Sequence, residues 1–92
     1  MIKKVFTVYD SKAEIYCDPY CLNASGEAIR EFADASNNPK TNCGKFPADF
    51  TLFELGTFDN VALKFDFYAA PISLGLAISF VKQLDIVRDQ PV

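Results

Sequence analysis

The stretch Phe50-Thr51-Leu52-Phe53-Glu54-Leu55-Gly56-Thr57-Phe58-Asp59-Asn60-Val61-Ala62-Leu63-Lys64-Phe65-Asp66-Phe67-Tyr68 decides the fold. Two apolar runs, Phe50 to Leu55 and Leu63 to Tyr68, flank the turn-forming Gly56-Thr57-Phe58-Asp59-Asn60. Aromatic residues crowd both runs, as on a pleated, half-buried surface, so the stretch predicts a β-hairpin. The second run alternates, with Leu63, Phe65 and Phe67 on one face and Lys64 and Asp66 on the other. An odd loop or a bulge sets Phe53 and Leu55 on the face of Leu63, Phe65 and Phe67. That register buries large apolar side chains together, each worth roughly 1.5–3 kcal/mol. It also brings Glu54 near Lys64, and Leu52 near Tyr68, on the outer face. An even loop centred on Asp59-Asn60 suits a two-residue turn, but it sets Phe53 and Leu55 with Lys64 and Asp66. Burial favours the first register.

Upstream, Ile2 to Asp10 alternates with apolar residues on both sides, which predicts a strand that is central or has its outer face covered. Ala13 to Cys17 reads as extended or a short strand, broken by Asp18-Pro19. Asn23 or Ser25 should cap a helix running to about Ser36. Its inner face is Ala28, Ile29, Phe32, Ala33 and Ser36, with Arg30 and Asp34 paired on the outside. Asn37-Asn38-Pro39 stops it, and Lys40 to Ala48 is a loop. Downstream, Ala69-Ala70-Pro71 turns the chain, and Ser73 caps a second predicted helix from Leu74 to about Leu84. Leu74, Ala77, Ile78 and Val81 would face the sheet, leaving Leu76, Phe80 and Leu84 as a second apolar stripe. Residues 86–92 are expected to fray, with Ile86 and Val87 able to add a short edge strand.

The predicted class is therefore α+β in one domain, residues 1–92. Its plan is a small, mostly antiparallel three-stranded sheet with two helices on one face. The order is β-α-β-β-α, a split βαβ, ferredoxin-like arrangement whose first crossover makes strands one and two parallel. Phe6, Val8, Ile29, Phe32, Phe53, Leu55, Phe65, Phe67, Ile78 and Val81 form the expected core. Val5, Tyr9, Leu52 and Tyr68 are expected on the open outer face.

Composition narrows function mostly by exclusion. Ninety-two residues, half of them apolar and 23% charged, make one ordered domain rather than a disordered chain. Nine Lys and Arg against twelve Asp and Glu give a net charge of −3, which disfavours wrapping nucleic acid phosphates. No apolar run is long enough to span a bilayer. Thr7, Tyr9 and Asp10 interrupt any signal-peptide core after Met1-Ile2-Lys3-Lys4, so the chain is expected to stay in the cytoplasm where it is made. Cys17, Cys21 and Cys43, an odd set with no secretion signal, read as reduced thiols. The absence of histidine removes the commonest general base and most metal sites. Asp49, Glu54, Asp59 and Asp66 cluster around the hairpin without a convergent partner, and no Gly-rich phosphate loop occurs. The expectation is a binding protein, not an enzyme, with no cofactor and no metal.

Aromatic residues on a sheet can stack unpaired bases. Tyr9 and Tyr68, with Lys3, Lys4, Lys12 and Lys64 nearby, are the candidate platform for single-stranded DNA. The same tyrosines could equally be packing or interface residues. A second apolar stripe on the last helix needs a cover, and a second copy of the chain would supply one. Leu76, Phe80 and Leu84 are thus the candidate homodimer interface.

Four motifs in order carry a family resemblance. They are Val5-Phe6-Thr7-Val8-Tyr9-Asp10-Ser11-Lys12-Ala13; Gly26-Glu27-Ala28-Ile29-Arg30-Glu31-Phe32; Phe46-Pro47-Ala48-Asp49-Phe50-Thr51-Leu52-Phe53-Glu54-Leu55-Gly56-Thr57-Phe58-Asp59; and Ala70-Pro71-Ile72-Ser73-Leu74-Gly75. Together the set resembles the small nonstructural proteins of gokushoviruses, single-stranded DNA phages of the Microviridae, over nearly the whole chain. The resemblance implies a nonstructural accessory role in single-stranded genome synthesis and packaging inside the bacterial host. The expected partners are single-stranded DNA or the viral replication and packaging proteins. The alternative is a protein–protein adaptor that grips a viral or host protein without touching DNA.

Overall fold

Strand β1 (Ile2–Asp10) is the spine of the molecule, with a neighbour on each side. Asp10 ends it by reversing the chain. Its Oδ1 accepts the backbone N–H groups of Lys12 at 3.0 Å and Ala13 at 3.2 Å, and its carbonyl accepts that of Glu14 at 2.8 Å. The return runs along one edge of β1 in two pieces, β2 (Ile15–Tyr16) and β3 (Tyr20–Leu22). Between them Cys17-Asp18-Pro19 kinks the chain, since proline offers no N–H to a ladder. Helix α1 (Ser25–Ser36), the single-turn α2 (Asn42–Lys45) and a 3-10 turn (Pro47–Asp49) lead to β4 (Phe50–Asp59), which lies on the other edge of β1. Strand β5 (Lys64–Leu76) closes the order β2/β3, β1, β4, β5, and a 3-10 turn (Ala77–Phe80) follows. The computed structural model describes residues 1–82.

The class is α+β, but the three-stranded split βαβ, ferredoxin-like plan is overturned. Among the described residues the sheet has five strands, and every strand pairing is antiparallel. The cause is the return through β2 and β3. It brings the chain back to the start of β1 before α1 begins, so β4 enters opposite Asp10 and runs antiparallel to β1. The predicted second helix does not form either. Leu74, Gly75 and Leu76 belong to β5, and of the described residues of that stretch only Ala77–Phe80 is helical, as 3-10. The run Ile72-Ser73-Leu74-Gly75-Leu76 alternates apolar and small residues as well as it fits a helix, and glycine and β-branched residues weaken the helix. Gly75 has φ 133°, outside the helical region, and a Cβ there would stand 3.0 Å from Phe80 Cε2. Phe80 thus folds back over Gly75 to meet Phe32 edge-on, ring centroids 5.8 Å apart. Asn37 holds the fold-back: its Nδ2 donates to the Phe80 carbonyl at 2.9 Å, and its Oδ1 accepts the Lys82 N–H at 2.7 Å. Leu84, the strand suggested at Ile86 and Val87, and the predicted frayed tail lie outside the described residues.

The cap of α1 also differs from both candidates. The N-cap is Ala24, which has no side-chain acceptor, and Glu27 reaches back to accept the N–H groups of Asn23 at 3.0 Å and Ala24 at 3.2 Å, the carboxylate half of a capping box. Ser25, the first helical residue, turns its hydroxyl to the sheet, where it donates to Glu54.

A β4–β5 hairpin forms, but not between the predicted runs: the expected turn Gly56-Thr57-Phe58-Asp59 is strand and pairs with Lys64 to Phe67, while Thr51 to Glu54 pairs with Ile72 to Leu76, so the runs 50–55 and 63–68 do not pair. Asp59 repeats the Asp10 turn, accepting the N–H groups of Val61 and Ala62 at 2.9 and 3.2 Å. Asp59 then pairs with Lys64 and Phe58 with Phe65, which is an even loop. Leu55 is skipped by both neighbours: Gly56 pairs with Val5 and Phe67, while Glu54 pairs with Phe6 and Ile72. This bulge reverses the faces again and returns Leu55 to the side of Phe65 and Phe67, with which it lines one cleft. Gly56 is obligatory at the bulge, because a Cβ there would lie 2.2 Å from the Asp66 carbonyl oxygen and 2.8 Å from Phe67 Cα. Both obstacles are backbone. Gly56→Ala should therefore cost about 3 kcal/mol, the upper part of the overpacking range, in urea melts.

The core lies on the helix side of the sheet. Phe6, Leu52, Ala28, Phe32 and Ala77 are buried there, with Val8, Tyr20, Leu22, Ile29, Phe50, Leu74 and Phe80 packed around them. Phe6, Val8, Ile29 and Phe32 were expected. Phe53 and Leu55 are half-buried, while Phe65, Phe67, Ile78 and Val81 are exposed. Leu52, expected outside, is fully buried. Phe53 and Leu55 do share a face with Phe65 and Phe67, but it is the side without a helix.

Candidate functional site

That uncovered side is the candidate site. Strand registers assemble it row by row. Tyr16, Tyr9, Thr51 and Leu76 stand opposite one another across β2, β1, β4 and β5. Thr7, Phe53 and Ser73 form the next row, followed by Cys21, Val5, Gly56 and Phe67, then Lys3, Phe58 and Phe65. Tyr9 and Tyr16 rings lie 4.6 Å apart, and Tyr16 meets Phe53 at 6.3 Å. Towards the hairpin tip, Phe58 stacks on Phe65 at 4.5 Å and Phe65 on Phe67 at 5.6 Å. Two shallow clefts lie between these clusters. One of about 420 Å³ is lined by Thr7, Tyr16, Cys17, Pro19, Leu55 and Pro71. The other, about 390 Å³, is lined by Val5, Pro19, Cys21, Leu55, Phe65 and Phe67.

Thr7 is buried on this face and satisfied: its hydroxyl donates to the Cys17 carbonyl at 2.8 Å. The Val8 N–H reaches Cys17 Sγ at 3.2 Å, which ties the kink between β2 and β3 to β1. Cys17, Cys21 and Cys43 are free thiols, and burial pushes that of Cys43 up. Among the described residues no three Cys, Asp or Glu side chains converge as metal ligands.

The structure brings together only part of the predicted platform. Tyr9 and Lys3 lie on the open face, joined there by Leu76 from the predicted interface set. Tyr68 does not stand beside Tyr9. It sits in the bulged segment of β5 and donates to Glu54 Oε2 at 2.5 Å on the helix side. Lys4 points to the same oxygen at 3.4 Å, and the Ser25 hydroxyl donates to Oε1 at 2.6 Å. Lys64 is exposed on the opposite face of the hairpin, 4.0 Å from Asp66. Lys12 is in the turn after β1, beside Asp10 and Phe46. Phe80 is half-buried against the core, so Leu76 and Phe80 do not form a common stripe. The stripe assumed a helix over 74–84, and among its described residues only the 3-10 turn Ala77–Phe80 is helical. Sequence reasoning missed Tyr16 and Phe53 as members of the face. The repeated Asp-led turn, Asp10-Ser11-Lys12-Ala13-Glu14 beside Asp59-Asn60-Val61-Ala62-Leu63, was the signal that Tyr16 returns along β1.

Chemically, the site offers surface rather than reactivity. Burial alone would push the Glu54 carboxyl up. Hydrogen bonds from Ser25 and Tyr68, with the Lys4 ammonium, outweigh it and hold the carboxyl below its ordinary range. It is thus an ionised structural anchor that accepts from three donors on three elements. Burial pushes the Tyr20 phenol up to about 12, so it stays neutral in the core.

No helix among the described residues is long and apolar enough to cross a membrane. No curated protein and no solved structure matches the chain. A family model described as phage ORF5 protein matches residues 3–80, which covers β1 through the last 3-10 turn and so includes every strand of the open face. The chain therefore belongs to the phage ORF5 protein family.

Proposed function

We propose that this phage protein is a nonstructural accessory factor in synthesis and packaging of a single-stranded DNA genome, working by binding in the bacterial host cytoplasm and not by catalysis. The resemblance to gokushovirus nonstructural proteins supplies the setting. The observation that supports a binding role is the uncovered aromatic face itself, since a monomeric domain rarely leaves so many large apolar side chains on one side of a sheet. Unpaired bases would stack on Tyr9, Tyr16 and Phe53, with Lys3 meeting a phosphate.

One observation favours a second role, a protein adaptor without DNA contact. Lys3 is the only cation that the strand registers place on this face among the described residues. A titration of labelled single-stranded DNA at rising salt separates the two. On the first proposal the shift weakens with salt, and Tyr9→Ala/Tyr16→Ala loses about 1–3 kcal/mol per stacked base while the circular dichroism spectrum is unchanged. No binding at low salt would leave the adaptor role in its place.

A further inference from the structure

Strand β5 ends the sheet with an unpaired edge, since no strand among the described residues lies beyond it. The opposite edge is unlike it. There β2 and β3 are short, and the kink at Pro19 interrupts them. A head-to-tail contact between unlike edges would find no continuous ladder on that side. Pairing of β5 with itself is the contact that remains, and it closes at two copies.

The sequence of β5 singles out one register. Lys64 and Asp66 sit on one face of the strand, with side chains 68% and 69% exposed, and Phe65 and Phe67 sit on the other. An antiparallel self-pairing centred on Lys64 would oppose lysine to lysine, and one centred on Asp66 would oppose aspartate to aspartate. A register shifted by half a step would set Phe65 against a charged residue and turn the two open faces to opposite sides. Of these registers, the axis through Phe65 alone sets lysine against aspartate and phenylalanine against phenylalanine. We propose that two copies of this chain join by antiparallel pairing of their β5 strands about a two-fold axis at Phe65.

In that dimer Lys64 lies opposite the partner's Asp66, and Asp66 opposite the partner's Lys64. Phe65 meets the partner's Phe65, and Phe67 lies beside the partner's hairpin turn, where β5 begins at Lys64. Both phenylalanines, 48% and 63% exposed in the single chain, gain cover. The axis is perpendicular to the sheet, so the two open faces lie side by side and the aromatic rows run on from one copy to the next. The bulged segment Tyr68 to Pro71 ends the pairing, because proline cannot donate and the backbone there leaves the ladder. The contact is short, and the dimer is one that dissociates on dilution. It does not depend on what the open face binds.

Sedimentation of the full chain over a wide concentration range tests it. The expected result is a monomer–dimer equilibrium in the wild type. Lys64→Asp and Asp66→Lys should each weaken association about tenfold, because each turns two cross-strand attractions into repulsions. The double reversal Lys64→Asp/Asp66→Lys restores opposite charges and should return association to near the wild-type level. Circular dichroism of each variant confirms that it is folded. A monomer at every concentration would overturn the proposal. So would a dimer indifferent to the single reversals, or a double reversal as weak as the singles.

Discussion

Glu54→Ala should cost about 2–3 kcal/mol, the upper range for losing hydrogen bonds to a charged group, a large share of the stability of so small a domain. Three donors converge on that carboxylate from three elements: Ser25 from the first turn of α1, Tyr68 from the bulge of β5, and Lys4 from β1. The carboxylate side chain is only 7% exposed, while the Lys4 side chain is 39% exposed. The lysine can therefore find water when its partner is removed, but the serine and tyrosine hydroxyls lose a specific acceptor. Glu54→Gln keeps an acceptor and gives up the charge, so its cost should fall to about 1–2 kcal/mol. The pH dependence has a definite sign. The folded state holds this carboxyl below its ordinary range, so folding favours the ionised form. The contribution is complete above the unfolded pKa, near 4.5, and is lost as pH falls through the lower folded value. Urea melts at neutral and acidic pH should show wild-type stability falling on this acid limb. In Glu54→Gln the fall should be shallower, and an equal fall would remove Glu54 from the account.

Phe6→Ala should cost about 3–5 kcal/mol, as expected for a fully buried phenylalanine. Phe6 stands at the centre of β1, packs against Tyr20 at a ring distance of 5.9 Å, and belongs to the cluster with Ala28, Phe32, Leu52 and Ala77. Those neighbours come from two strands, a helix and the last 3-10 turn, which limits how far they can close the cavity. Phe65→Ala is the informative contrast. Alternation alone predicts a core residue, with a core-sized loss. In the folded chain Phe65 is half exposed and stacks only on Phe58 and Phe67, so the loss should be near 1 kcal/mol. Paired denaturant melts with unchanged slope measure both. Equal losses for the two variants would mean that the open face is as covered as the helix side.

Several elements were legible in the residues. The apolar spacing of Ala28, Ile29, Phe32 and Ser36 marks α1, and Asn37-Asn38-Pro39 marks its end. Aromatic alternation marks two strands on either side of a reversal, though not which of their segments pair, and apolar residues on both sides of Ile2 to Asp10 mark a central strand. These are local signals, set by side-chain period and by the few residues that turn a backbone. Tertiary structure decided which face is the core. Period two says that Phe65 and Phe67 share a side with each other, not which side the helix will cover. That depends on the Leu55 bulge and on where α1 lands after the return through β2 and β3. Tertiary structure also decided the fate of Leu74 to Phe80, whose pattern fits either period. Pairing with Thr51 to Glu54 gave the backbone a ladder that an isolated helix could not match. For the same reason Tyr68 left the predicted platform. An exposed tyrosine has no fixed direction in a sequence, and here a buried carboxylate fixes it. The order of apolar and turn-forming residues thus determined β1, the start of β4 and of β5, and the one long helix, but not β3 or the far end of β5. Only contacts between residues far apart in the chain could determine which aromatic residues stay uncovered, because burial is a property of neighbours that the local period does not name.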